Sequence, residues 1–400
     1  MLAAVVIFAL TYGVMALGRM PGLRIDRTGA AIIGASLMVA FNVLTVDEAW
    51  AAINSDTILL LFGMMIVVAS LRLSGFFTLV SEWVVEHAHR PLVLLCGIVA
   101  VSGVFSAFFV NDTMCLVLTP LVLEITRSLR RNPVPYLLAV AMASNIGSVA
   151  TITGNPQNMM IGGFSRIPYR NFAAALAPVA VAGLVLTAAI IGLVYRSEFG
   201  GENVLRVDHR AVRVHSALMW KSVAAAVAMM VLFFAGWPVP KVAVMAGGVL
   251  LITRRLKPER FYREIDWSLL TMFIGLFIVI AGVEKTPLAA DLFAAANRFH
   301  LERTAPMTAF AALLSNLVSN VPAVLVFKGF VAHLPDARHA WLTLAMSSTL
   351  AGNLTVLGSV ANLIVVERAR REVAISFWEY AKAGVPLTIV TLALGVWLLG

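Results

Sequence analysis

FSAFFVNDTMCLVLTPLVLEITRSLRRNPVPYLLAVAMASNIGSVATITGNPQNMMIG, residues 105–162, is the stretch that decides the fold. It is almost wholly apolar, yet small and polar residues interrupt it at 111–113 and again at 144–156. In hydrocarbon each unpaired backbone group costs several kcal/mol, so such interruptions persist only where protein buries them or where they line a cavity. The stretch therefore predicts a polar site buried at membrane depth.

The composition is that of a chain that lives in a lipid bilayer. Of its 400 residues, 60% are hydrophobic and only 13% are charged, whereas a soluble domain carries about 25% charge. Apolar runs long enough to cross a bilayer recur from end to end. The net charge is +9, but the basic residues lie in short loops rather than on one face, which argues against nucleic-acid binding. Cys96 and Cys115 both fall inside apolar segments, so neither a disulfide framework nor a thiolate metal site is expected.

The order of apolar segments predicts an all-α membrane protein with about ten transmembrane helices plus two re-entrant hairpins. In the first half we expect helices at 1–18, 29–45 and 56–74, an amphipathic segment at 76–90, a hairpin at 91–127, a broken helix at 135–163 and a helix at 171–195. In the second half we expect helices at 217–236, 240–253 and 267–283, an amphipathic segment at 286–301, a hairpin at 304–333, a broken helix at 339–366 and a helix at 376–399.

The two halves resemble each other in residues as well as in hydropathy. Residues 105–114 align with 314–323, and AMASNIGSVATITGNPQN (141–158) aligns with AMSSTLAGNLTVLGSVAN (345–362). Chance similarity between apolar helices does not explain matches at the polar interruptions. We therefore predict two repeats with broken helices, joined by a cytoplasmic linker, at 1–200, 201–216 and 217–400.

The repeats are expected to have inverted topology. Each half holds an odd number of spanning segments, so the second half enters the membrane in the opposite orientation. Basic residues test this independently: with the N-terminus outside, 20 Lys and Arg residues lie in connections inside and 7 in connections outside. We predict a multi-pass protein of the plasma (inner) membrane with both termini outside the cytoplasm, the first hairpin entering from the cytoplasm and the second from outside.

Each interruption starts a new half-helix. Asn111 or Asp112 would cap one, Asn155 precedes Pro156 at another, Asn320 begins a third and Ser359 a fourth. Four helix N-termini near the midplane would present free N–H groups and partial positive charge to an anion or an oxygen-rich solute. Side-chain oxygens beside the unwound turns, including those of Thr151 and Asn353, suit a small cation instead.

Asp112 is the one acid at an interruption, and its counterpart in the second half is Val321. An ionisable group at membrane depth is a functional candidate by default. It could carry a proton or help to hold Na⁺, or it could only cap its own helix. Na⁺ or H⁺ is thus the expected coupling ion, with Na⁺ placed near Asn111, Asn145 and Asn320, and no cofactor or other metal is expected.

FVNDTMCLVLTPLVL (109–123) and ASNIGSVATITGNPQNMMIG (143–162) resemble the ion transporter superfamily. The nearest branch holds arsenite permeases, the P-protein and citrate-type transporters, and the sequence is also similar to dicarboxylate/sodium symporters. The resemblance implies that hairpin tips and unwound helices form the substrate and cation sites, that a transport domain moves against a scaffold, and that a homodimer forms through that scaffold. The site residues carried over are Asn111, Asp112, Thr113, Ser144, Asn145, Gly154, Asn155, Ser319, Asn320, Thr349, Gly358 and Asn362.

The hairpin tips depart from one part of that superfamily. Dicarboxylate symporters carry Ser-Asn-Thr at both tips, whereas this chain has Val-Asn-Asp-Thr at 110–113 and Ser-Asn-Val-Pro at 319–322. We therefore predict a secondary transporter of a small anion or oxyacid, most like arsenite/antimonite efflux or citrate-type transport, coupled to H⁺ or Na⁺ by an elevator-type mechanism. The alternative is a Na⁺/H⁺ antiporter that uses Asp112. No HExxH, GxSxG or pair of membrane acids suggests an enzyme.

Overall fold

The computed structural model describes residues 2–18, 22–200, 215–254, 256–287, 298–332 and 334–400. Most of the predicted linker and much of the predicted amphipathic segment at 286–301 lie outside these residues. In the first half the helices are α1 (Leu2–Leu17), α2 (Arg27–Ala40), α3 (Val46–Ala52), α4 (Ser55–Ser74), α5 (Phe76–His87), α6 (Pro91–Phe108), α7 (Asn111–Ser128), α8 (Pro133–Ser148), α9 (Pro156–Ser165), α10 (Tyr169–Val194) and α11 (Arg196–Phe199). In the second half they are α12 (Ser216–Phe234), α13 (Val239–Leu251), α14 (Pro258–Tyr262), α15 (Trp267–Glu284), α16 (Thr304–Val318), α17 (Asn320–Val331), α18 (Ala337–Ala351), a 3₁₀ turn (Val356–Gly358), α19 (Val360–Ala369) and α20 (Phe377–Leu399).

The long apolar helices begin and end within a few residues of the expected positions, but three short helices were missed. These are α3, α11 and α14, each of seven residues or fewer. These helices are too short to show a helical periodicity of apolar residues, so only capping residues at their ends could reveal them in the sequence. Thr45 and Glu48 form a reciprocal capping box at the start of α3, a signal present in the sequence.

The outer surface confirms a multi-pass membrane protein. Among the described residues, six helices are long and apolar enough to cross a bilayer: α4, α6, α10, α12, α15 and α20. Large apolar side chains point away from the protein, as with Val185 on α10 and Trp220 on α12, both 67% exposed. Apolar surface of this extent faces lipid rather than water.

The helices pack in matching pairs. Helix α4 packs on α13 and α15 packs on α2, which places these four helices beside α1 and α12. In the rest of the protein, α6 packs on α8 and α16 packs on α18. The second arm of each hairpin then crosses to the other half, so that α7 packs against α19 and α17 against α9. This crossing brings both hairpin tips and both helix breaks into one place.

Close backbone contact holds the first hairpin against the first broken helix. A Cβ atom added at Gly147 on α8 would lie 2.0 Å from the carbonyl oxygen of Gly103 on α6, a distance no folded protein tolerates without a backbone shift. We expect Gly147→Ala to destabilise the protein by about 1–3 kcal/mol, measured as a lower melting temperature in detergent. Gly248→Ala is the control, since nothing lies within 4 Å of its added Cβ. Equal melting temperatures for the two variants would contradict this packing.

Candidate functional site

Four helix N-termini meet around one cavity. Asn111 begins α7, Pro156 begins α9, Asn320 begins α17 and Val360 begins α19, and all four residues line a cavity of about 50 Å³. Each helix is at least ten residues long, so each presents free N–H groups and a positive dipole end to the cavity. The arrangement suits a ligand rich in oxygen atoms or negative charge.

The remaining wall is mixed in character. One acid, Asp112, and one base, Arg27, line the cavity. Three helices outside the hairpins and broken helices, α1, α2 and α15, supply one side of it. The other lining residues are Met15, Gln157, Leu269, Met272, Ser319, Val321, Pro322 and Ser359.

The half-helices after the two breaks start as expected. The Asn155 side chain accepts a hydrogen bond from the N–H of Asn158, and Pro156 occupies the first helical position. The Ser359 hydroxyl accepts from the N–H of Ala361. Each cap leaves the helix N-terminus open to the cavity beside it.

The hairpin starts differ from the expectation. The N-cap of α7 is Val110, and neither Asn111 nor Asp112 makes a side-chain cap. Instead the Asn111 N–H donates to the carbonyl oxygen of Gly154 at 2.9 Å. A Cβ on Gly154 would lie 2.1 Å from the carbonyl oxygen of Ser148, so only glycine fits. The tip of the first hairpin is thus tied to the unwound turn of the first broken helix, which sequence alone could not show.

Asn145 is the centre of the hydrogen-bond network behind the cavity. Its Oδ1 accepts from the Asn111 amide at 2.9 Å and from the Ser359 hydroxyl at 3.1 Å. Its Nδ2 donates to Oδ1 of Asn353 at 2.8 Å and of Asn362 at 3.0 Å. One 1%-exposed side chain therefore links the first hairpin to the second broken helix.

The two breaks are clamped in the same way. The Asn158 amide donates to the carbonyl oxygens of Ser148 and Thr151, at 3.1 and 3.0 Å. The Asn362 amide donates to the carbonyl oxygens of Gly352 and Thr355, at 2.7 and 3.0 Å. The donor and the acceptors of the second clamp each lie 204 residues after those of the first, and the same offset separates the similar segments 141–158 and 345–362. Each clamp pairs carbonyl groups that the broken helix leaves without an intrahelical partner.

A second pair of contacts crosses between the halves. The Ser359 hydroxyl bonds to Asn145, and the equivalent Asn155 amide donates to the Thr349 hydroxyl at 3.2 Å. Gln157 also donates to the Thr349 hydroxyl, at 3.2 Å. The start of each second half-helix is therefore held by the first half-helix of the opposite repeat.

Two buried amide oxygens beside the cavity lack a partner. Asn111 is 3% exposed and Asn320 is 7% exposed, and within the described part of the chain neither Oδ1 accepts a hydrogen bond. Buried acceptors are nearly always satisfied in folded proteins. Because both residues line the cavity, a ligand with hydroxyl groups or a bound cation would satisfy them.

The tip of the second hairpin is strained. Ser319 lies between α16 and α17 with φ +78° and ψ 159°, a conformation that costs a residue with a side chain about 1–3 kcal/mol. Ser319 lines the cavity. The strain lets the chain reverse without a glycine while the start of α17 remains aimed at the cavity.

The predicted site residues divide into two layers. Four line the cavity: Asn111, Asp112, Ser319 and Asn320. Behind them the structure buries Ser144, Asn145, Thr151, Gly154, Asn155, Thr349, Asn353, Gly358 and Asn362, whereas Thr113 is half-buried on α7. Thr151 donates to the carbonyl oxygen of Ala107, so it supports the hairpin rather than the cavity.

Ten of the fourteen described lining residues were not among the predicted site residues. Five of them belong to the half-helix starts, Pro156, Val321, Pro322, Ser359 and Val360, and the other five are Met15, Arg27, Gln157, Leu269 and Met272. Gln157 stood inside the quoted stretch and could have been found from its place in the first turn of α9. Arg27 is one of the 20 basic residues that were predicted to lie in connections on the inside, and it was given no other role. Met15, Leu269 and Met272 carry no signal in the sequence, because they reach the cavity only through the packing of α1 and α15.

Sequence comparison places the chain among transporters. Residues 5–351 match the family model described as "Citrate transporter". The silicon efflux transporter LSI3 of Oryza sativa subsp. japonica is 31% identical, over 95% of this chain and 93% of its own length. A 46 kDa membrane protein of Mycobacterium leprae is 29% identical, over 99% and 97% of the two chains. The putative transporter arsB of Dictyostelium discoideum is 25% identical, over 94% and 87%.

A solved structure supports the fold. The Alcanivorax borkumensis YdaH transporter, whose crystal structure was described as having an unusual topology, superposes with a TM-score of 0.61. The superposition covers 100% of this chain and 96% of that chain, at 14% identity. At this identity the likeness concerns the arrangement of helices alone.

Proposed function

The chain belongs to the citrate transporter family, and from that premise we propose that it is a secondary active transporter of a small oxyacid or oxyanion. It is a multi-pass membrane protein of an anion-transporter family and not an enzyme. The observation that carries the finer proposal is the cavity where four helix N-termini meet two unpartnered amide oxygens. Such a lining offers both donors and acceptors, which a hydroxylated acid requires.

The cavity size favours a compact substrate. One water needs about 10–15 Å³ of such volume, so about 50 Å³ holds roughly three to five water-sized groups. A metalloid or phosphorus centre with three or four oxygens fits this space, whereas citrate exceeds it in this conformation. The names of two relatives, a silicon efflux transporter and a putative arsB transporter, point the same way.

We propose that transport follows an elevator-type movement coupled to H⁺ or Na⁺. The hairpins and broken helices α6–α9 and α16–α19 would form the moving unit, and the helices containing residues 2–40 and 216–251 the scaffold. Tyr12 of α1 donates a hydrogen bond to the carbonyl oxygen of Pro322 in the second hairpin at 3.1 Å. This contact joins the two parts in the present conformation and would break when they move.

Membrane location, orientation and oligomeric state are also proposed. The excess of basic residues in one set of connections supports a plasma (inner) membrane location with both termini outside the cytoplasm. A homodimer through the scaffold remains a proposal from the superfamily resemblance. Both can be tested by labelling single cysteines placed at the termini and by crosslinking in the membrane.

Ligand-dependent thermal stability is the direct test of the function. We expect at least one small oxyacid or oxyanion, from a panel that contains arsenite, antimonite and orthosilicate, to raise the melting temperature of purified protein by several degrees when present far above its dissociation constant, because the ligand binds only the folded state. The panel also includes phosphate, sulfate, citrate, Na⁺ and Li⁺. In Asn111→Ala the shift should vanish, while Asn171→Ala, on the half-buried first turn of α10, should keep it. Absence of any oxyacid or oxyanion shift, together with no oxyacid or oxyanion flux in proteoliposomes under either ion gradient, would overturn the proposal.

A Na⁺/H⁺ antiporter is the second candidate. Asp112 is the one carboxylate among the described residues that line the cavity, and the free oxygens of Asn111 and Asn320 are ligands that Na⁺ accepts. A thermal shift with Na⁺ or Li⁺ but with no oxyacid or oxyanion would favour this candidate.

A further inference from the structure

We propose that Arg27 is a substrate-contacting residue that makes the site prefer ionised oxyanions over neutral oxyacids. This inference rests on the proposed function and deepens it, because it assigns the charge of the substrate. Arg27 is the first residue of α2, on the scaffold side of the cavity and outside both hairpins. It is also the one basic side chain among the described residues that line the cavity.

One nitrogen of the guanidinium group has no hydrogen-bond partner in the described part of the chain. Its Nε is buried and makes no hydrogen bond within the described ranges, and no carboxylate there forms an ion pair with it. The adjacent Asp26 is occupied, since its side chain accepts from the N–H of Gly29 and caps α2. A buried donor left unpaired is costly, and a ligand in the cavity that Arg27 lines would complete the bonding of this nitrogen.

The guanidinium group lies beside the end of α1. A Cβ built on Gly18 at the end of α1 would lie 3.9 Å from one terminal guanidinium nitrogen and 4.0 Å from Nε. The planar fork of arginine matches two oxygens of an oxyanion, which a lysine ammonium cannot reproduce.

The charge of Arg27 changes which ligands the cavity favours. The helix N-termini around the cavity can donate to the oxygens of neutral acids and of anions, and their positive dipole ends favour the anion. Asp112, on the second arm of the first hairpin, would repel an anion. The Arg27 guanidinium offsets that repulsion and adds an interaction that only a charged oxygen uses in full. Arg27 therefore shifts the preference of the cavity toward the ionised state.

The test compares dissociation constants of charged and neutral ligands at pH 7 on the purified full-length protein. Arsenate and phosphate are the anionic probes, and arsenous acid and orthosilicic acid are the neutral ones. We expect Arg27→Gln to weaken anion binding about ten- to a hundredfold, as loss of a charge-assisted hydrogen bond predicts, and to change neutral-acid binding much less. Arg27→Lys should lie between the two.

Arg24→Gln is the matched control, since Arg24 is exposed in the same connection and does not line the cavity. Its dissociation constants should equal those of the wild type, and ligand-free melting temperatures report whether each variant is folded. An unchanged ratio of anion to neutral-acid affinity in Arg27→Gln overturns the role of Arg27. A wild-type protein that binds only the neutral acids also overturns it, yet leaves the proposed function intact. If the wild type binds none of the four probes, the role of Arg27 is overturned, and the proposed function is decided separately by the full ligand panel and the flux assay.

Discussion

Replacing Asn145 with alanine is expected to abolish substrate binding and to destabilise the protein by at least about 3 kcal/mol. The side chain makes four hydrogen bonds, to Asn111, Ser359, Asn353 and Asn362, at a site with 1% exposure. Each buried polar group left without a partner costs about 1–3 kcal/mol. Thermal unfolding in detergent measures the loss of stability, and the ligand panel measures the loss of binding.

Asn145→Asp separates hydrogen-bond donation from shape. Aspartate has almost the same volume, but at the place of Nδ2 it presents an oxygen to the oxygens of Asn353 and Asn362. We expect it to fail as severely as Asn145→Ala, whereas Asn171→Ala, which alters a half-buried asparagine that takes part in none of these hydrogen bonds, should behave as wild type. Normal binding by Asn145→Asp would show that packing alone matters at this position.

Replacing Asp112 with asparagine is expected to abolish ion-coupled transport while leaving the protein folded. Asp112 lines the cavity at the start of α7 and makes no cap with its side chain, so the helix does not need its charge. If the carboxylate carries the proton or holds Na⁺, coupled flux should fall by about tenfold or more, since one lost charged contact is worth at least about 1.4 kcal/mol. Proteoliposome flux under imposed H⁺ and Na⁺ gradients is the measurement.

Asp56→Asn is the matched control for this prediction, because Asp56 is exposed in the first turn of α4 and does not line the cavity. The result also divides the two candidate functions. Loss of Na⁺-dependent proton movement in a protein that transports no oxyacid or oxyanion would support the antiporter. Loss of coupling with retained binding of an oxyacid or oxyanion would support the proposed oxyacid transporter. Coupled flux equal to the wild type would remove Asp112 from either mechanism.

The sequence by itself determined the fold class and the order of helices. Apolar length fixes which segments cross a bilayer, since no soluble alternative buries so much apolar surface. The breaks were equally readable, because Asn155 before Pro156 and Ser359 after Gly358 are local signals that depend on neighbouring residues only. The short helices α3, α11 and α14 were not predicted, because each is too short to show the helical periodicity of apolar residues.

The tertiary structure alone decided which of these polar residues face a ligand. Asn111 was expected as a cap but bonds to Asn145 instead, a partner 34 residues away that no local rule identifies. Most other predicted residues turned out to support the site from behind, and Arg27 entered it from a helix with no polar break. Long-range packing sets these roles, because a cavity at membrane depth is enclosed by segments far apart in the chain. Local sequence specifies where a helix starts, whereas only the folded protein specifies what that start points at.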